Sequence, residues 1–236
     1  MNYFITGTDT GVGKTLISCA LLHAFAAQHK RVVGMKPVAA GCGEDSNNAD
    51  VNALCAASTV VADIRQINPY VFADAIAPHI AARASGVRIE FVRILAAYQE
   101  LAAQAEVVIV EGVGGFKVPL NEQQDSAQLA QQLNLPVILV VGMRLGCLNH
   151  TLLTADAIKA GGLVLAGWVA NVVDNEMAVL TENIEALQQR ITAPATGCGA
   201  LSGAAGCASG GGPARYQIAH KTDFLRYHPL RYYEQC

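Results

Sequence analysis

The stretch ITGTDTGVGKT, residues 5–15, lies between the apolar run NYFIT and the amphipathic run TLISCALLHAFAA. A strand, a glycine-rich turn and a helix are the context in which such a turn cradles phosphate. Glycines at positions 7, 11 and 13 let backbone N–H groups converge on an anion. The Lys14 side chain is placed to reach β- and γ-phosphates, and the Thr15 hydroxyl to bind Mg2+. The helix that follows adds its positive N-terminus. The spacing is unusual, because five residues separate Gly7 from Gly13 where the common pattern has four. Thr8 then stands where the common pattern has its first glycine, with Asp9 directly after it. The plain alternative is an ordinary glycine turn, and Lys-Thr directly after Gly-Val-Gly argues against it.

Working outward, short Val- and Ile-rich runs alternate with amphipathic stretches as far as residue 192. The runs Asn2–Thr6, Arg31–Val38, Glu106–Glu111, Pro136–Val141 and Leu163–Asn171 are predicted as strands buried on both faces. Lys14–Gln28, Asp50–Ala56, Glu90–Gln104, Ser126–Leu133, Asn149–Ala160 and Glu176–Arg190 are predicted as helices. This alternation predicts an α/β fold, a P-loop NTPase-like parallel sheet with helices on both faces. Ligands of such sheets sit beyond the carboxyl ends of the strands, so the residues there carry the functional reading.

Lys36, embedded in an apolar strand and followed by Pro37, is read as a cation at that edge aimed at the phosphates, or else as a lysine with its head in water. Asp50 closes the acidic segment GEDSNNAD and opens a helical stretch, which also fits a helix N-cap. Glu111 ends the run VVIVE, where a P-loop enzyme keeps its second metal carboxylate, and Gly112, Gly114 and Gly115 then permit close approach of a ligand. In VGMRLGCLNHTLLT, residues 141–154, a helix beginning near Asn149 offers free N–H groups to a carboxylate. Asn171–Asp174 forms an Asn-x-x-Asp without the lysine of guanine-reading motifs, which is weak support for guanine.

The 236 residues accommodate one large domain, or one domain and a tail. A net charge of −3 argues against nucleic acid as the main partner. No apolar run reaches the roughly 18 residues of a membrane span and no basic-then-apolar leader opens the chain, so no membrane association and a cytoplasmic location are expected. Seven scattered cysteines without a CxxC pair read as reduced thiols.

Ordered stretches across residues 2–194 resemble the dethiobiotin synthetase family: GTDTGVGKT at 7–15, KPVAAG at 36–41, NPYVF at 68–72, PH at 78–79, VEGVGG at 110–115, PVILVVG at 136–142, LGCLNHTLLTA at 145–155 and LAGWVAN at 165–171. The resemblance implies an ATP- and Mg2+-dependent ring closure that inserts CO2 between the two amines of 7,8-diaminononanoate. It implies a carbamate that takes the γ-phosphoryl group, followed by attack of the second amine. It implies Lys36, Lys14 and Thr10 as catalytic groups, and Thr15, Asp50 and Glu111 as metal ligands. Gly11, Val12, Gly13, Lys14, Thr15, Leu16, Asp50, Glu111, Gly112, Val113, Gly114, Asn171 and Val172 are implied in nucleotide binding, with Asn171 at the adenine. Position 40, Cys147 and Asn149 are implied in substrate binding, the last two from the neighbouring subunit of a homodimer.

Two departures stand out. The family's Lys-Pro-Val-Ala is usually followed by Ser or Thr, whose hydroxyl contacts substrate, and here Ala40 follows. A weakened Km for the diamine is therefore expected. The resemblance also stops after Ala193-Pro194. The expected organisation is a domain over 1–194 and a divergent tail over 195–236, with weak order over 196–214. The Gly-, Cys-, Arg- and Tyr-rich tail fits a reading-frame shift near codon 195, and it puts one side of the adenine pocket in doubt. Cys198, Cys207, His220, His228 and Cys236 match no common zinc spacing. Other readings are a regulatory P-loop ATPase switch, an amidoligase of cobalamin synthesis and a degenerate non-catalytic nucleotide-binding homologue. The switch ATPases carry a second lysine where Asp9 stands. GCLNH and KPVAAG favour the synthetase over the amidoligase.

Overall fold

The strands alternate strictly in which face each side chain supplies, and that alternation builds the layers. The computed structural model describes residues 1–42 and 48–200, the last five by backbone alone. In chain order the elements are β1 (Tyr3–Gly7), α1 (Lys14–Ala26), β2 (Val32–Met35), β3 (Val38–Ala40), α2 (Ala49–Ala57), α3 (Ile64–Ile67), β4 (Tyr70–Phe72), α4 (Pro78–Ala84), α5 (Phe91–Gln104), β5 (Val107–Glu111), α6 (Ser126–Leu133), β6 (Val137–Met143), α7 (Cys147–Ala160), β7 (Leu165–Val172), α8 (Leu180–Arg190) and β8 (Ala195–Ala200).

Six of the described strands form one sheet in the order β2-β5-β1-β6-β7-β8, and every pairing is parallel. Tyr3, Ile5, Val107 and Ile109 point to one face, where they pack with Ile17, Leu21, Leu22 and Phe25 of α1 and Leu54 of α2. Phe4, Val108 and Val110 point to the other, with Ile94 and Leu101 of α5, Leu129 of α6, Ile158 of α7 and Leu187 of α8. A sheet covered on both sides needs strands apolar at every position, which is why β5 and β6 are buried throughout.

Several elements differ from the sequence reading. The run Arg31–Val38 does not remain one strand. It breaks at Lys36-Pro37, where proline has no N–H to donate to a ladder. β3 then pairs with β4 in a separate two-stranded sheet. Asn48, not Asp50, caps α2, accepting the N–H groups of Asp50 and Val51 on its side chain. α7 begins at Cys147 rather than near Asn149, because the left-handed Gly146 ends the preceding turn there. The short α3, α4 and β4 carry too few residues to show a period. β8 adds a sixth strand beyond residue 194, its backbone paired with β7 from Trp168 to Val172 with a register shift between Trp168 and Val169. The expected tail thus begins at the first residue of β8. Of the stretch expected to be weakly ordered, 196–214, residues 196–200 instead belong to β8; the rest of it, with the cysteines and histidines at 207, 220, 228 and 236, lies outside the described residues, as do residues 43–47 of the acidic segment. Among the described residues no helix is long and apolar enough to cross a membrane.

Candidate active site

The carboxyl ends of β1, β2 and β5 are neighbours in the sheet, so the residues just beyond them converge. β1 runs into the glycine turn. Gly11 and Gly13 take φ values of +72° and +90° there, the left-handed region in which other residues are strained. Gly13 is the N-cap of α1 and no side chain caps that end, so the first amides of the helix are left for an outside acceptor. The turn is held from below by Val12, which is 1% exposed. A Cβ on Gly7 would lie 2.6 Å from Val12 Cγ2, and one on Gly142 of β6 would lie 2.7 Å from Val12 Cγ1. Both glycines are therefore required for Val12 to seat. The Asn171 side chain, wholly buried at the end of β7, donates through Nδ2 to the Val12 carbonyl at 2.8 Å.

Two lysines, 6% and 4% exposed, meet at this edge. Lys14 Nζ donates to the Asp9 carbonyl at 2.9 Å. Lys36 Nζ donates to Asp50 Oδ2 at 2.8 Å and to Glu111 Oε1. The alternative in which the Lys36 head lies in water is thus excluded. Lys36 leaves the sheet at the Pro37 break, where the buried Asn68 side chain holds its carbonyl. Thr15, in the first turn of α1, donates its hydroxyl to Glu111 Oε1 at 2.9 Å. Glu111 is fully buried, and its second oxygen, Oε2, has no hydrogen-bond partner.

The two lysines are shifted in opposite directions, and their partners explain it. Burial pulls the Lys14 ammonium down, the nearby Lys36 charge adds to this, and Glu111, Asp50 and Asp9 only partly compensate, leaving its pKa at about 8. Burial pulls on Lys36 too, but the Glu111 and Asp50 carboxylates in direct contact with it outweigh that and hold it above the ordinary lysine value. Burial likewise works against the Asp50 carboxylate, and Lys36 more than reverses it, so Asp50 stays below its usual range. The negative field reaches one turn up α1: burial first, then Glu111 and Asp50, push the Cys19 thiol up to about 11.

Of the residues singled out in the sequence, Thr15, Lys36, Asp50 and Glu111 form one hydrogen-bonded network, and Lys14 lies within electrostatic range of Lys36, Glu111 and Asp50. Thr10 and Gly114 face each other across the opening: a Cβ on Gly114 would lie 3.5 Å from Thr10 Oγ1. Leu16 lies in the first turn of α1, Gly112 and Val113 follow β5, and Val172 ends β7, two strands from β1. Asn171 has its amide nitrogen committed to the loop, and its unpaired Oδ1 is the atom left for a further donor. Ala40 ends β3, against the segment after β4, where Gly41 N–H donates to Phe72 and Asp74 carbonyls. Cys147 and Asn149 are separate from the network: the Cys147 side chain is in the core and its N–H is spent on the Arg144 carbonyl, while Asn149 is exposed on α7. One participant was not picked out from the sequence. Arg144, the first residue after β6, forms an ion pair with Asp9 of the loop. A lone basic residue directly after a wholly apolar run was the available signal.

A family model described as an AAA domain matches residues 1–198. The ATP-dependent dethiobiotin synthetase BioD of Nitrosospira multiformis is 58% identical over 195 residues, covering 83% of this chain and 86% of that protein. The protein of the same name from Aromatoleum aromaticum is 54% identical over 198 residues, covering 83% and 88%. That from Janthinobacterium sp. strain Marseille is 50% identical over 204 residues, covering 84% and 86%. Among solved structures, the MinC:MinD cell division protein complex of Aquifex aeolicus aligns with a TM-score of 0.50 at 15% identity, covering 84% of this chain and 80% of that one, a likeness of fold alone.

Proposed function

The chain belongs to the ATP-dependent dethiobiotin synthetase family, and from that premise we propose that it closes the cyclic urea of dethiobiotin, an ATP-dependent ligation, at the carboxyl edge of β1, β2 and β5. The observation that carries the reading is the pair of buried lysines beside the phosphate turn, one of them bridging Asp50 and Glu111.

In this reading one amine of 7,8-diaminononanoate attacks CO2 and loses a proton, giving a carbamate. A carbamate oxygen attacks the γ-phosphorus of ATP, and the bond to the β,γ-bridging oxygen breaks, releasing ADP. The second amine attacks the carbonyl carbon of the mixed anhydride and loses its proton, and phosphate leaves as the ring closes. Each step brings anions together, so the chain's contribution is positioning and charge neutralisation. Lys14 and Lys36 supply positive charge that no bulk water screens, and the turn amides before α1 receive phosphate oxygens. Thr10 faces the opening beside Gly114 and orients the transferring group. Asp50 and Glu111, in contact with Lys36, hold it at the centre of the site.

Thr15, Asp50 and Glu111 offer the hard oxygens that suit Mg2+, and the unpaired Glu111 Oε2 fits a further electrophilic partner there. Mg2+, when bound, supplies neutralisation of phosphate charge.

The proposal includes a homodimer that completes the substrate site with Asn149 and the start of α7. Leu145, in the turn before α7, and Leu153, on the helix, lie on either side of Asn149 in sequence and are 96% and 62% exposed, and their exposure supports a covering partner. Free thiols at Cys19, Cys42, Cys55 and Cys147 support the cytoplasm as the compartment. The proposed boundary leaves residues 195–236 as a divergent tail whose sequence after residue 198 lies beyond the family match.

The test is purified protein with 7,8-diaminononanoate, bicarbonate and Mg-ATP, monitored for phosphate and dethiobiotin. Phosphate release that requires the diamine supports the synthetase. Release without diamine marks a regulatory ATPase, and no release with nucleotide still bound marks a non-catalytic homologue.

A further inference from the structure

We propose that Arg144 is a positioning residue for the phosphate turn: by pairing with Asp9 it fixes the turn's second residue and cancels a negative charge that would otherwise repel the incoming triphosphate. The inference rests on the reading of the turn as an ATP site and adds to it a residue outside that site.

The three oxygens of Asp9 take three different donors, two of them in the turn and the lysine that follows it. Asp9 Oδ1 accepts the Thr10 N–H at 2.7 Å. The Asp9 carbonyl receives Lys14 Nζ at 2.9 Å. Asp9 Oδ2 takes the guanidinium of Arg144. The Asp9 carboxylate is also among the charges acting on Lys14, so it lies within electrostatic range of the group that meets phosphate. A carboxylate in that position opposes an anionic ligand unless it is neutralised.

Arg144 is suited to neutralise it. It is the first residue past β6, so its backbone is anchored by the sheet, and its carbonyl accepts the Cys147 N–H at 3.0 Å, closing the turn into α7. Asp9 and Arg144 are both about half exposed, 48% and 44%. Half-exposed pairs contribute little to folding stability, so the value of this one lies in where it puts charge. Among the described residues at this edge, Asp9, Asp50 and Glu111 face Lys14, Lys36 and Arg144. Without Arg144 the edge carries a net negative charge before any phosphate arrives.

The pair also joins two parts of the chain. The turn belongs to the first strand-helix unit and Arg144 to the segment that leads into α7. Asn171 Nδ2 on the Val12 carbonyl, Gly142 beneath Val12, the Thr8 N–H donating to the Val140 carbonyl and the Gly142 N–H donating to Thr8 Oγ1 are further ties from β6 and β7 to the turn. Arg144 supplies the tie that carries charge.

The experiment measures Mg-ATP affinity of the purified full chain by titration calorimetry at low and high ionic strength, with Km and kcat alongside. Arg144→Ala is expected to weaken Mg-ATP binding about tenfold at low salt, the order of one uncompensated charge close to the ligand, and to raise Km for ATP far more than it lowers kcat. The defect should shrink in high salt, where the Debye length falls to a few ångströms. Arg144→Lys should stay within about threefold of the parent, because it keeps the charge. The decisive variant is Asp9→Asn/Arg144→Ala, which lacks the ion pair yet also lacks the unwanted charge; binding within about twofold of the parent is expected. Parent-like binding by Arg144→Ala overturns the proposal, and so does a double variant as weak as Arg144→Ala, since that pattern belongs to a merely structural pair. If the parent chain itself binds no Mg-ATP, the ATP reading falls and takes the inference with it, an outcome distinct from the other two.

Discussion

Lys36 Nζ lies 2.8 Å from Asp50 Oδ2 and also donates to Glu111 Oε1, tying the end of β2 to the start of α2 and the end of β5. Glu111 is completely buried and, besides the Thr15 hydroxyl, depends on Lys36 for compensation. Removing Lys36 therefore leaves a buried charge without its counter-charge, which costs about 3–5 kcal/mol, whereas removing both partners is far milder. Lys36→Met should lower Tm strongly and Lys36→Met/Glu111→Leu should recover much of that loss, with neither regaining activity. Thermal unfolding of the three proteins decides it. A double variant as unstable as Lys36→Met would show that the pair is not the source of the loss.

Lys14 should take up a proton when nucleotide binds. Its pKa of about 8 reflects burial and the Lys36 charge, and a phosphate anion beside it favours the ammonium. A group whose pKa rises on binding takes up protons at pH values between the two pKa values. From a free-state value near 8, uptake should be about 0.1 proton at pH 7 and about 0.7 at pH 8.5. For folding the sign is opposite: the pKa is depressed from the unfolded lysine value to about 8, folding releases a proton in the interval above 8, and the Lys14 contribution to stability grows as pH rises through it. Calorimetric titration in buffers of different ionisation enthalpy measures the uptake. Lys14→Arg, whose guanidinium does not titrate in this range, should abolish it, and a pH-independent value in the parent chain would contradict the assignment.

Gly142→Ala should disturb the phosphate turn from beneath. The added methyl would sit 2.7 Å from Val12 Cγ1, so Val12 must move and carry the turn with it. A several-fold rise in Km for ATP is expected, with overpacking costing about 1–3 kcal/mol of stability. Trimming Val12 to Ala in the same chain should recover part of both effects. Steady-state kinetics of the single and double variants provide the check, and a single variant with parental Km would exclude the coupling.

Ala40→Ser should improve diamine binding. The family resemblance implies a substrate-contacting hydroxyl at this position, and one neutral hydrogen bond is worth about 1 kcal/mol, or roughly fivefold in Km. Ala40 is only partly buried at the end of β3, so the added oxygen has room. Km for 7,8-diaminononanoate should fall several-fold while Km for ATP stays put. A Km unchanged or raised would mean that position 40 does not contact the diamine here.

Much of this molecule was legible one dimension at a time. The wholly apolar runs ending at Glu111 and leading up to Arg144 identified doubly covered strands. Gly13-Lys14-Thr15 between strand and helix identified the turn, because glycine, a long cation and a hydroxyl are each local requirements of phosphate binding. What sequence could not supply was every relationship that depends on strand order. The run Arg31–Val38 reads as one apolar strand, yet Pro37 lacks the N–H that a ladder needs, and the chain crosses there to pair with Tyr70–Phe72. β8 reads as a glycine-rich tail, because backbone pairing with β7 leaves no hydrophobic period to read.

The sequence by itself determined which groups could meet phosphate, since their chemistry is local to the turn and the strand ends. Only the tertiary structure decided what each of them faces. Lys36 could have held its head in water, and placing β2 beside β5 instead buries it against Glu111. Asp9 and Arg144 are 135 positions apart and nothing in a linear reading joins them, and placing β1 beside β6 makes them an ion pair. Charges act through space, so their partners are set by which strands lie side by side.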